Sequence, residues 1–160
     1  MSDGTANAIR QMTTYVTFSV CGMQCALSID EVDEIKRSFQ ITRVHGAPPY
    51  INGVVNIRGQ IVTVIDLGRR LGLENDDPSR QFTMVIISKH GEKIGLLVDT
   101  IEDTITINSE ACSVPPPNIQ TSMRMFIRSV CKTNTALIAV IDRDAVADRE
   151  RNGTEEASGT

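Results

Sequence analysis

The sequence predicts a mainly β fold of barrel type, and three observations carry that expectation. Hydrophobic residues make up 41% of the 160 residues, yet aromatic ones make up only 4% and Trp is absent. A core of Val, Ile and Leu rests on branched side chains that suit a pleated sheet better than a helix. The apolar runs are also short and punctuated by Gly, Pro and Asn, which gives about eight or nine strands and few helices. Finally, the chain matches itself twice in the same order, at two nearby offsets.

Element by element, "YVTFSV" (15–20) alternates, "CGM" turns, and "QCALSI" (24–29) returns as the second arm of a hairpin. "DEVDEIKR" (30–37) carries Val32 and Ile35 three apart with its acids outward, the spacing of a short helix or turn. "QITRV" (40–44) reads as a strand, and "APPYINGVVNI" (47–57), with two prolines and a glycine, as a connection. "QIVTVIDL" (60–67) is apolar on both faces and predicts a buried strand; "GRRLG" after it predicts a turn with a short helix. "FTMVIIS" (82–88) and "KIGLLVD" (93–99) make a second hairpin around Gly91, followed by "DTITI" (103–107). "VPPPN" (114–118) is a stiff linker, and "ALIAVID" (136–142) a last buried strand.

Sliding the chain by 69 residues lays "CGMQCALSIDEVDE" (21–34) over "HGEKIGLLVDTIED" (90–103). A slide of 76 lays "YINGVVNIRGQIVTVID" (50–66) over "FIRSVCKTNTALIAVID" (126–142), so Tyr50 meets Phe126 and Asp66 meets Asp142. Such a repeat predicts two similar small barrels sharing one core. One domain over 13–148 is expected, with flexible tails at 1–12 and 149–160. The first barrel would take mainly 20–80, and the second mainly 81–142 plus the first strand.

The net charge of −4 excludes the basic stripe of a nucleic-acid binder. No apolar run reaches the roughly 18 residues of a membrane span, and the start lacks a secretory pattern, so a cytoplasmic protein is expected. Cys21, Cys25, Cys112 and Cys131 are spaced for neither a metal nor a redox motif, and are expected as small half-buried thiols in a reducing compartment. No cofactor or metal is expected.

The acids at 30–34 and 99–103 could serve hydrolysis only if burial separated their pKa values; solvated acids beside strands are the commoner outcome. His45 and His90 lack a cysteine at a recognisable spacing. "NIRG" is followed by a strand, not by a helix that could hold phosphate. The arginines of "GRRLG" read as solvated loop cations. Arg58 is different. Gly59 alone could supply a turn's unusual backbone angles, and the second copy has Asn134 and Thr135 in their place. A guanidinium on a turn is well placed to meet a partner.

"PPYINGVVNIRGQIVTVIDL" with "EVDEI" upstream resembles the CheW family of bacterial chemotaxis coupling proteins, over about residues 13–145. The resemblance implies two pseudo-symmetric SH3-like five-stranded barrels sharing a core, with short helices and no enzymatic activity. It implies a cytoplasmic adaptor, peripheral to membrane receptor arrays, that joins the signalling tips of methyl-accepting chemoreceptors to the regulatory domain of a CheA-type histidine kinase. A scaffold of a non-flagellar chemosensory pathway is the alternative, and ring assembly with like modules is left open. Carried over residue by residue, it implies partner binding by Arg58 and Glu34, with Val32, Ile35, Val54 and Gly59 beside them. Thr63, Gly68, His45 and Ser129 depart from the family's usual residues.

Overall fold

A computed structural model describes residues 11–73 and 77–148. Eleven strands occur among the described residues: β1 (Met12–Val20), β2 (Met23–Ser28), β3 (Glu34–Lys36), β4 (Ile51–Ile57), β5 (Gln60–Asp66), β6 (Thr83–Lys89), β7 (Glu92–Val98), β8 (Thr100–Asn108), β9 (Cys112–Ser113), β10 (Ile127–Lys132) and β11 (Leu137–Ile141). They form two sheets, ordered β3-β6-β7-β5-β4 and β8-β1-β2-β11-β10-β9. Each sheet curls into an SH3-like barrel. Among the described residues, three short α-helices, Leu67–Arg70, Thr121–Arg124 and Arg143–Ala147, and two 3-10 turns, Ile29–Glu31 and Ser109–Ala111, lie between or after the strands.

Burial explains why strands such as "FTMVIIS" show no polar alternation. In β6, Met84 and Ile86 enter a cluster with Val55, Ile57, Val62, Val64 and Leu97, the interior of the β3–β7 barrel. Val85 and Ile87, one residue out of phase, enter a larger cluster with Phe18, Val20, Leu27, Ile65, Leu96 and Ile141. Successive strand residues point to opposite faces, so β6 faces its own barrel on one side and the shared core on the other. Ala26, Ile107, Cys131, Ile138 and Val140 fill the other barrel.

The repeat is physical. Asp66 and Asp142 each cap the helix that follows, accepting from Arg69 N at 3.3 Å and Ala145 N at 3.1 Å. Their own N–H groups donate to the matched residues Tyr50 and Phe126, at 2.8 and 2.9 Å. Register shifts fall at matched places, Ile51/Gly53 and Ile127/Ser129, and the parallel pairings β5–β7 and β11–β2 correspond. Yet the two copies exchange hairpins. β1–β2 lies in the sheet of β8–β11, and β6–β7 in the sheet of β3–β5. The expected split, 20–80 against 81–142 plus the first strand, is therefore corrected in all but that strand: one barrel spans 34–98, and the other joins 12–28 to 100–141.

Other expectations also change. "INGVVNI" is strand β4, not a connection. "QITRV" is not a strand; only Thr42 bridges to Val54. Gly53 makes the strand reading hard from sequence, because it lies where Thr42 crosses: a Cβ there would stand 2.3 Å from the Thr42 carbonyl oxygen, at φ +155°. Gly53→Ala should destabilise the domain by about 3 kcal/mol in a denaturant melt. Residues 1–10 and 149–160, which cover nearly all of both expected tails, lie outside the described residues, and Met12 already belongs to β1.

Two side-chain readings are overturned. Arg69 is half exposed beside Asp66, but Arg70 is buried, with only 5% of its surface accessible. Its guanidinium stacks on Tyr50 at 3.9 Å and on Phe126 at 4.7 Å, the matched pair of the repeat. It donates to the Val146 carbonyl at 3.2 Å and to that of Asp148. Likewise, Cys112 and Cys131 are not separate thiols; they are bonded as a disulfide.

Candidate functional site

The site is built from the short motif Asn56-Ile57-Arg58-Gly59. Ile57 is buried in its barrel, and the Asn56 side chain accepts from Gly59 N at 2.9 Å. That bond holds a two-residue turn between β4 and β5 in which Arg58 has φ +51° and Gly59 φ +81°. Turns of this kind match the twist of a hairpin but need positive φ at both positions, which Asn and Gly adopt most readily. The turns Cys21-Gly22 and His90-Gly91 are built the same way. Arginine is thus held in the left-handed region against its preference, and nothing in the turn requires its side chain.

That side chain reaches Glu34. Arg58 Nη2 lies 2.7 Å from Glu34 Oε2, and Nη1 lies 3.3 Å from Oε1, a two-pronged geometry that fixes both groups. β3 and β4 are the opposite edges of the five-stranded order, so the pair closes the barrel at its mouth. The arginine is the outer member, 69% exposed against 27% for the glutamate. Lys36 Nζ stands 3.9 Å behind. The surface here presents a guanidinium oriented by an acid beneath it.

The hydrogen bond from Arg58, aided by its charge, holds the Glu34 carboxyl below the usual range, while the bond to Glu34 raises the arginine. A carboxyl with a lowered folded pKa stabilises the fold above its unfolded value, and that contribution fades as pH falls through the lowered value. The pair is therefore intact at neutral pH. Partner binding should be flat between about pH 6 and 8 and weaken only below the ordinary glutamate range near pH ~4, as a pH series of titrations would read.

Apolar groups frame the pair. Ile35, beside Glu34 on β3, is 37% exposed, and Ile29 upstream is also exposed. Val32 is half-buried against the shared core. Val54 stands on β4, where its backbone N–H and C=O both bond Thr42, each at 2.8 Å. Below the turn, an open groove of about 370 Å³ runs between β4 and residues 36–42, lined by Lys36, Phe39, Ile41, Val55, Asn56 and Ile57.

Sequence reading missed the cations that meet the other acids of this segment. Arg128 Nη2 and Arg143 Nε each stand 3.5 Å from Glu31 Oε2, and Lys93 Nζ stands 3.6 Å from Asp33. These contacts join residues far apart in sequence, so no local signal announces them. The 99–103 acids are held by different partners. Asp99 takes Arg80 Nε at 2.7 Å and Cys21 N at 2.7 Å, and Asp103 accepts from its neighbour Thr104 N. Among the described residues no cluster could hold a metal ion, and no helix is long and apolar enough to cross a membrane.

Comparison with known proteins bears on the family and the fold. The CheW-like domain family model matches residues 14–151. The chemotaxis protein CheW of Bacillus subtilis is 33% identical over 135 residues, covering 84% of this chain and 86% of that one. The probable chemotaxis protein CheW of Rhizobium etli is 29% identical, covering 82% and 84%. The crystal structure of the scaffolding protein TtCheW from Thermoanaerobacter tengcongensis superposes with a TM-score of 0.78 at 29% identity, covering 88% of this chain and 95% of that one. With the family model matched over residues 14–151 and a relative 33% identical over 84% of this chain, the chain belongs to the CheW-like domain family.

Proposed function

We propose that the chain is a non-enzymatic adaptor of chemotaxis signalling, coupling the cytoplasmic tips of chemoreceptors to the regulatory domain of a CheA-type histidine kinase. It acts in the cytoplasm at the receptor arrays. The observation that carries the reading is the Glu34–Arg58 pair: a left-handed arginine, unneeded by its turn, held outward by an acid. Ile35 and the groove beneath supply apolar contact, and the oriented charge supplies register and specificity more than bulk affinity. Asp99 is already committed to Arg80 and Cys21, which argues against the hydrolytic alternative.

Calorimetric titration with a kinase regulatory region and, separately, with a receptor signalling-tip fragment tests the proposal. Binding to both is expected. Failure to bind either, with every component folded, would contradict the adaptor reading and leave the fold untouched.

A further inference from the structure

We propose that Cys112 and Cys131 are a reversible dithiol–disulfide pair that locks and releases the edge strand β9 of the six-stranded sheet. The two residues stand directly opposite each other in the β9–β10 register and are bonded. β9 is two residues long and touches its sheet only through this pair and Ser113–Val130. The chain then enters Val114-Pro115-Pro116-Pro117, and prolines donate no hydrogen bond that could extend the ladder. Without the covalent bond, little holds β9 to β10.

The two sulfurs are unequal. Cys131 is fully buried among Ala26, Ile107, Ile138 and Val140, whereas Cys112 is only half-buried at the rim. Exchange must therefore begin at Cys112. Its thiolate attacks a small disulfide such as oxidised glutathione, which forms a mixed disulfide and releases one thiol. Cys131 loses its proton and displaces the second glutathione from the Cys112 sulfur. Two protein thiols become one disulfide, and one oxidised glutathione becomes two reduced ones. Reduction runs the same steps backwards.

Cys21 and Cys25 are the free thiols, and burial pushes both above the ordinary thiol range, which slows their exchange. The pairing itself stands apart from the partner reading. The switching rests on the proposed cytoplasmic setting, where protein disulfides are usually transient.

The test equilibrates the full chain in glutathione buffers from fully reducing to fully oxidising, then counts thiols by alkylation and mass spectrometry. Hydrogen exchange of residues 112–120 is read in both states. One disulfide, Cys112 to Cys131, should form and break reversibly. The amides of β9 should exchange at least roughly tenfold faster when it is broken. Cys131→Ala should accumulate glutathione on Cys112, and Cys112→Ala should leave Cys131 unmodified. Four free thiols throughout the series, a bond that persists under full reduction, or equal exchange in both states would overturn the proposal. The wild-type series decides even if a variant fails to fold.

Discussion

Replacing Arg58 by Asn leaves the domain folded, with a melting temperature unchanged or raised, and weakens binding to at least one partner by roughly tenfold or more. The stability half follows from the backbone. Arg58 sits at φ +51°, a region that Asn enters more readily than arginine. The Asn56 cap on Gly59 N and the buried Ile57 hold the turn whatever the side chain at 58. The binding half follows from exposure, since the guanidinium is the outer member of its pair. Glu34→Gln should weaken the same binding by freeing the arginine from its orientation. The double variant should lose little more than either single one, because the two residues act as a unit. A charge swap, Glu34→Arg with Arg58→Glu, separates the roles: it can restore the ion pair, but it turns an acid outward, and binding should not return. A melted Arg58→Asn domain would instead make the residue structural.

Arg70→Ala should have the largest effect on stability, a loss of about 3–4 kcal/mol, which is on the order of 10 °C in melting temperature. The side chain is buried and makes no contact with the candidate docking face. It stacks between Tyr50 and Phe126 and satisfies the carbonyls of Val146 and Asp148 at the end of the final helix. Truncation removes the stacking, leaves a cavity, and takes both donors away from the end of the helix. Burial lowers its pKa from the ordinary arginine value, a sign of the desolvation that these contacts offset. Arg70→Lys should recover only part of the loss, because an ammonium has neither the flat face nor the fork. The readouts divide cleanly: Arg58 variants change binding without melting, and Arg70 variants melt first.

Much of the fold was legible because its signals are local. The hairpins around Gly22 and Gly91 show strand, glycine turn and strand in order, and the self-match between 50–66 and 126–142 tracks a real correspondence of caps, bulges and parallel pairings. What the repeat could not convey is which copy supplies each hairpin, since exchanged and unexchanged barrels satisfy the same pattern. Strand β4 was hidden by Pro48, Pro49 and Gly53, whose glycine answers to a crossing at Thr42 about ten residues away. Arg70 looked like a loop cation because its partners arrive from residues 50, 126, 146 and 148. Cys112 and Cys131, 19 apart, show no motif, and only the β9–β10 register brings them together. Of the candidate site, Arg58 drew attention by its place in the turn and Glu34 only through the family resemblance; their contact, the outward arginine and the groove below needed the barrel to close.

The most direct test of the adaptor account is a paired calorimetric titration of wild type and Arg58→Asn, each against a kinase regulatory region and a receptor signalling tip from the same organism. The account predicts that wild type binds both and that the folded variant loses roughly tenfold or more toward one of them. Equal affinities of variant and wild type for both partners would contradict it, by showing that the outward guanidinium serves neither.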